Sequence, residues 1–201
     1  MLTKLKQKIQ GWLTSAAKTA HMVGLTPNRI SVIGIILAFL SALCYWKWQL
    51  FDSFLLFAAP ILLLVSGFFD ALDGAVARLY GQSTIFGGFL DSLLDRYADS
   101  IALVGIILGG LCRLEWGLAA LIGSLLVSYT RARGEAAGVK MEAVGLAERA
   151  ERILILVTAS FMTITWKEAL NWTMILLAIL TSLTVLQRAF YFYRASKKKQ
   201  E

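Results

Sequence analysis

Histidine, cysteine and proline are almost missing from this chain of 201 residues. The lone His21 argues against a histidine-based zinc site. The two cysteines, Cys44 and Cys112, lie far apart in apolar stretches. They read as packing residues rather than a disulfide or a metal-binding pair. No repeat or low-complexity segment stands out. No cleavable signal is expected either, because the first residues lack a short apolar core followed by small-residue cleavage spacing. Charge is sparse, at 16% of residues against 58% hydrophobic. That balance is too apolar for a soluble single domain of this length, so lipid is expected to cover much of the surface. A net charge of +7 would suit nucleic acid. The basic residues instead gather at the ends of apolar spans, so no nucleic-acid partner is expected.

Those apolar spans predict six crossing helices at about 28–48, 52–80, 85–111, 116–136, 149–165 and 169–193. Thr26-Pro27 reads as a helix start. Pro60 predicts a kink in the second span, which is long enough to project beyond a bilayer. Ahead of them, residues 1–24 read as an amphipathic juxtamembrane helix. Leu2, Leu5, Ile9, Trp12, Leu13, Ala16 and Ala20 form one stripe, with Lys4, Lys6, Lys8 and Lys18 off it. Residues 25–196 then form the transmembrane domain, and 197–201 a basic tail carrying Lys198 and Lys199. Six spans put both termini on one side. Most Lys and Arg fall on that side, and only Lys47, Arg113 and Lys167 on the other. The positive-inside rule makes the termini cytoplasmic. The expected class is an all-α integral membrane protein: six transmembrane helices preceded by an amphipathic interfacial helix, multi-pass in the cell membrane.

Into this apolar background the stretch DALDGAVARLYGQSTIFGGFLDSLLD, residues 70–95, places four carboxylates. Asp70 and Asp73 are one turn apart, and Asp91 and Asp95 share a helix face at i, i+4. Gly74 and Gly87 remove side chains one turn from an acid and let a bulky group approach the backbone. Like charges in a low-dielectric setting need compensation. Hard oxygen ligands suit Mg²⁺, Mn²⁺ or Ca²⁺, and a two-metal clamp is the usual arrangement for phosphoryl chemistry. Arg78, on the same side, can neutralise a phosphate. Ionisable residues inside a membrane default to a functional reading.

The spacing D-x2-D-G-x2-A-R-x8-G-x3-D-x3-D, met by Asp70, Asp73, Gly74, Ala77, Arg78, Gly87, Asp91 and Asp95, resembles the signature of the CDP-alcohol phosphatidyltransferases. The resemblance implies that a hydroxyl attacks the lipid-linked phosphate of a CDP-lipid and CMP leaves. It implies Mg²⁺ or Mn²⁺, two ions, on Asp70, Asp73 and Asp91. Asp95 would be the general base and within reach of the second ion. Asp70, Asp73, Gly74, Ala77, Arg78 and Gly87 would surround the CDP-lipid, with Asn28 and Thr84 as further candidates. A cytoplasmic site facing both lipid and water, and a homodimer, are implied as well. Asp99 extends the Asp91–Asp95 stripe by one turn but lies outside the signature; a structural role is expected, through Arg96 or a neighbouring span.

A second basic group, Arg131, Arg133, Lys140, Arg149 and Arg152, surrounds the connection between the fourth and fifth spans. Arg149 and Arg152 share a face at i, i+3. Such convergence can bind a phosphate on the acceptor. The plain alternative is positive-inside residues paired with Glu135, Glu148 and Glu151. The wording SYTRARGEAAG…VGLAERAERILIL also resembles the branch that uses inositol phosphate to make phosphatidylinositol phosphate or archaetidylinositol phosphate. Carried over, its phosphate pocket comprises Ser128, Arg131, Arg133, Arg149, Arg152 and Arg188, with Arg131 standing where that branch often has lysine. The expected substrates are CDP-diacylglycerol or CDP-archaeol and an inositol phosphate, with membrane lipid around the protein. The alternatives are glycerol 3-phosphate as acceptor and, more remotely, an ion or proton transporter, which would spread its acids through the depth of the bilayer.

Overall fold

The computed structural model describes residues 2–51, 53–141, 144–146 and 148–197, with side chains from Gly11 onward except Ser53. The side chains of Leu2, Lys4, Leu5, Lys6, Lys8 and Ile9, the span start at Asp52, and Lys198 and Lys199 of the tail lie outside the described residues.

The described residues form seven α-helices, one 3₁₀ turn at Trp48–Leu50 and no strand: α1 Leu2–Met22, α2 Pro27–Trp46, α3 Ser53–Leu79, α4 Ile85–Leu108, α5 Leu114–Ala136, α6 Arg149–Thr163 and α7 Ala169–Lys197. Thr26 sits in extended conformation ahead of Pro27, whose missing N–H costs nothing in a first turn. Helix α3 runs on through Pro60. Helix α4 begins where Thr84 Oγ1 accepts the Gly87 N–H at 2.9 Å, satisfying one orphan donor. It stops at Leu108, three residues short of the apolar run. The stop falls at Gly109-Gly110, where Gly110 takes φ +67°, a conformation open to glycine.

This is an all-helical membrane protein fold. By length and apolarity three helices suffice to cross a bilayer: Pro27–Trp46, Phe54–Leu79 and Ala169–Lys197. Of the ring helices, the other three, α4, α5 and α6, differ for visible reasons. Helix α4 carries Asp91, Asp95, Arg96 and Asp99, α5 carries charge at both ends, and α6 has 15 residues, short of the ~20 a crossing takes.

Contacts close a ring in the order α2, α4, α5, α7, α6, α3 and back to α2. Its interior holds Tyr45, Leu63, Leu103, Ile106, Ala120, Leu156 and Met174, drawn from all six helices. Cys44 and Cys112 pack against that core unpaired. Lipid gives helices little hydrophobic reason to associate, so close approach and buried hydrogen bonds decide the pairing. Ser66 Oγ donates to Gly34 O at 2.8 Å and Ser41 Oγ donates to Ala59 O at 2.7 Å, tying α2 to α3. The Tyr45 hydroxyl lies 2.7 Å from Ser160 Oγ, tying α2 to α6. Helix α4 crosses α2 at Gly105: a Cβ there would meet Ala42 O at 2.5 Å.

The stripe of α1 divides its contacts. Leu13, Ala16, Ala17 and Ala20 pack on Ile30, Phe69, Leu72 and Val76, while Trp12 stays 68% exposed. His21 stacks on Tyr80 with ring centroids 3.6 Å apart, fastening the end of α1 to the turn after α3.

Candidate functional site

The chain turns back on itself between α3 and α4, so the last turns of one helix face the first turns of the next. Asp70 and Asp73 thereby meet Asp91 and Asp95 at one end of the ring. The same end receives Asn28 and Ser31 from the start of α2, Arg149 and Arg152 from the start of α6, and Arg188 from late α7.

Asp70, Asp91 and Asp95 bring one carboxylate oxygen each to within 4.8 Å of one another. Asp73 stands beside this trio rather than in it: its Oδ2 accepts a hydrogen bond from Ser31 Oγ. All four acids, with Ser31, Ser66 and Arg149, line one narrow cleft. Arg149 enters the cleft from α6, 2.5 Å from Asp70 Oδ2 and 2.5 Å from Asp95 Oδ1.

The donor set fits a divalent cation. Among the described residues Asp95 Oδ1 is buried yet accepts no hydrogen bond of good geometry; Arg149 reaches it as an ion pair only. Three part-buried carboxylates, with Asp73 beside them, against two guanidinium groups, Arg149 and Arg96, leave negative charge over, and hard oxygens at this spacing suit Mg²⁺, Mn²⁺ or Ca²⁺.

A wider cavity of about 440 Å³ lies at the opposite end of the ring, near Trp48, Arg113 and Lys167, remote from the acids. Next to the acidic cleft is a cavity of about 170 Å³. Asn28, Asp73, Gly74, Ala77, Arg78, Thr84 and Gly87 line it, together with Ser31 and Asp91. Of the sequence candidates for the CDP-lipid, Asp70 alone faces only the cleft. Gly74 has a local reason to be glycine: a Cβ there would lie 3.0 Å from the Arg78 guanidinium. The absence of that side chain lets Arg78 fold over the helix toward the cavity.

The six acceptor candidates do not form one pocket. Arg149 and Arg152 adjoin the acids. Arg133 and the buried Arg188 line a separate hollow of about 250 Å³ with Tyr129, Met141 and Phe192. Arg188 Nε donates to Val144 O at 2.8 Å, and its NH1 donates to Val127 O. Ser128 Oγ donates to Ser124 O at 3.3 Å on its own helix. Arg131 pairs with Glu135 at 2.9 Å, the plain alternative for that residue. Glu151 instead caps α6, accepting the Glu148 N–H at 2.8 Å.

Sequence reasoning missed one contact, that of Ser31 with Asp73. Ser31 was not singled out, although its place one turn after Asn28 on the site end of α2 was readable. Of the two partners expected for Asp99, Arg96 or a neighbouring span, it takes the span, α6: Arg149 Nε donates to its Oδ1 at 3.0 Å and Arg152 NH2 to its Oδ2 at 3.1 Å. Arg96 pairs with Asp95 at 3.1 Å. The Ser31 bond holds Asp73 at the cavity wall, so on the CDP-lipid expectation Ser31→Ala raises the KM for that substrate about three- to tenfold, a part of what one charge-assisted hydrogen bond is worth. Steady-state CMP release against CDP-lipid concentration measures it, and an unchanged KM removes Ser31 from the site.

Comparison with known proteins adds a family. Residues 24–186 match the CDP-alcohol phosphatidyltransferase family. The chain is 41% identical over 198 residues to the archaetidylinositol phosphate synthase of Pyrococcus horikoshii, covering 98% of each chain. It is 33% identical over 193 residues to a phosphatidylinositol phosphate synthase of Mycobacterium bovis, covering 87% of this chain and 82% of that one. Among solved structures, the Mycobacterium tuberculosis phosphatidylinositol phosphate synthase in complex with manganese and citrate superimposes with a TM-score of 0.78 at 30% identity, over 90% of this chain and 88% of that one. The same enzyme with CDP-DAG bound gives 0.77 at 31% identity, over 90% and 93%.

Proposed function

The chain belongs to the CDP-alcohol phosphatidyltransferase family, and on that premise we propose that it transfers a phosphatidyl or archaetidyl group from a CDP-lipid to an inositol phosphate, releasing CMP. The observation that carries the reading is the junction of two hollows: an acidic cleft and a cavity lined by Arg78 and Gly74 share Asp73 and Asp91 as a common wall. A diphosphate held across that wall places its two phosphates between carboxylates on one side and a guanidinium on the other.

The roles follow from position. Asp70, Asp91 and Asp95, with Asp73 adjoining, hold the divalent cation, two ions of Mg²⁺ or Mn²⁺ in our reading. When bound, such ions offset charge building on the diphosphate oxygens. Arg78 and the exposed backbone at Gly74 receive the cytidine phosphates, with Asn28, Ala77, Thr84 and Gly87 around the nucleotide. Asp95 accepts the proton of the acceptor hydroxyl. The oxygen so freed attacks the lipid-side phosphorus, the bond to the bridging oxygen breaks, and CMP departs with that oxygen. Arg149 and Arg152 receive the phosphate that marks the acceptor. Arg131, Arg133 and Ser128 lie farther along the same end, on the side that the acceptor approaches, and the buried Arg188 lines a hollow there with Arg133.

Six helices, α2 to α7, then cross the bilayer within a domain of residues 25–196, with residues 1–24 along the surface and 197–201 as a basic tail. The site end is cytoplasmic because the excess of Lys and Arg lies there. A soluble acceptor enters, and CMP leaves, on that side. The protein works as a homodimer surrounded by membrane lipid.

The deciding experiment is an acceptor panel. Purified protein in detergent with Mn²⁺ or Mg²⁺ is given CDP-diacylglycerol or CDP-archaeol with inositol 1-phosphate, glycerol 3-phosphate, inositol or serine. CMP release is expected with inositol 1-phosphate and is abolished by a chelator and restored by Mn²⁺. Release with glycerol 3-phosphate alone overturns the acceptor; release that survives chelation overturns the metal.

A further inference from the structure

Asp99 lies outside the acidic signature and outside the cleft, yet it holds two arginines at the start of α6 beside the site. Its two oxygens take one arginine each, at 3.0 Å from Arg149 and 3.1 Å from Arg152. The three side chains are 17%, 21% and 6% exposed. Two guanidinium groups one turn apart on α6 repel each other in such surroundings, and a shared carboxylate offsets that repulsion. A further pull acts on Arg149, whose NH1 stands 2.5 Å from both Asp70 and Asp95. Asp99 grips the opposite edge of the same guanidinium, through Nε. The planar fork is therefore held at both edges, and its plane is fixed.

We propose that Asp99 is a positioning residue for the acceptor: it sets Arg149 and Arg152 at a fixed separation beside the acids, and so gives the enzyme its preference for a phosphorylated over an unphosphorylated alcohol. The inference rests on Arg149 and Arg152 receiving the acceptor phosphate. A phosphate binds a pre-set pair of arginines without first having to order them. Once the carboxylate is neutral, the pull of Asp70 and Asp95 on Arg149 is unopposed, and the pair separates. The CDP-lipid cavity, which neither arginine lines, is untouched.

The test is steady-state CMP release by the full chain in detergent, with each substrate varied in turn. For Asp99→Asn the inositol 1-phosphate KM rises about tenfold or more, while the CDP-lipid KM stays within about twofold. The ratio of kcat/KM for inositol 1-phosphate over inositol falls by a similar factor. Asp99→Glu, which keeps the charge but moves it by one methylene, restores most of the acceptor KM. A merely structural role lowers Tm and moves both KM values together, or neither, and that pattern overturns the proposal. Where Asp99→Asn yields no folded protein, Asp99→Glu decides alone: a rise of about threefold confined to the acceptor KM supports the proposal, and an equal rise in both KM values or in neither refutes it. Wild-type protein that releases no CMP with inositol 1-phosphate defeats the functional reading itself, whereas active wild type with unselective variants defeats only the role of Asp99.

Discussion

Replacing Asp91 by Asn lowers CMP release by about a thousandfold or more while the protein still folds. Asp91 is the residue through which the site is most connected. It contributes an oxygen to the carboxylate trio, and its side chain walls both the acidic cleft and the neighbouring cavity. Asparagine keeps the shape and loses the charge. A neutral amide is a poor ligand for a hard divalent cation competing with water, and catalysis that depends on offsetting charge at phosphate loses several kcal/mol, on the order of 10³ in rate. Half-buried carboxylates repel one another, so removing one charge leaves Tm unchanged or raised in the absence of metal. Two measurements separate the causes: Mn²⁺ binding, read from the loss of the free-ion EPR signal on titration, and thermal unfolding without metal. Weakened Mn²⁺ binding with an intact Tm is the expected pair. Wild-type turnover refutes the assignment of the trio.

Gly105→Val abolishes a stable fold in detergent although Gly105 lies ten residues beyond Asp95, about 15 Å along the helix. At Gly105 even a first carbon would stand 2.5 Å from Ala42 O and 2.7 Å from Ala42 Cα. Those are backbone atoms, so no rotamer change relieves the clash and α2 must move away from α4. Gly109, one turn on, faces Tyr45 O in the same manner at 2.2 Å. Overpacking a core ordinarily costs about 1–3 kcal/mol; prying two helix backbones apart lies at or above the top of that range. Helix α2 also carries Asn28 and Ser31, and α4 carries the acids, so any molecules that still fold have a widened cleft. Size-exclusion chromatography with a thermal ramp reads the result, and a Tm within a degree or two of wild type refutes the close-contact explanation. Gly105→Ala is the milder step, with a smaller loss in the same direction.

The readable parts of the sequence were those set by local period. Helix starts at Pro27, Ile85, Arg149 and Ala169 came close to their expected places because apolar runs, the Thr26-Pro27 pair and short polar turns are local signals. The meeting of four aspartates was readable for the same reason, since i, i+3 and i, i+4 spacings fix a face before any tertiary contact is known. What stayed hidden depends on distant partners. Ser31 and Asp73 are 42 residues apart, and Arg149 and Asp70 are 79. Arg131 and Arg133 part for a geometric reason: residues two apart point to different sides of a helix, and here one pairs with Glu135 while the other lines the hollow with Arg188. The helix contact at Gly105 gave no signal by composition, because a glycine in an apolar run looks the same whether it faces lipid or another backbone.

The wall shared by the cleft and the cavity has a thermodynamic corollary. Asp73 and Asp91 belong to both hollows, so a cation in one and a nucleotide diphosphate in the other feel the same two carboxylates. The cation offsets the carboxylates that would otherwise repel the diphosphate, the diphosphate adds negative oxygens that favour the cation, and linkage makes the benefit mutual: whatever factor the cation adds to nucleotide affinity, the nucleotide returns to the cation. After turnover the departing CMP carries a single phosphate, so that mutual reinforcement weakens at the moment of release. With the proposed roles, the geometry of one wall thus favours loading of the donor substrate and discharge of its remnant.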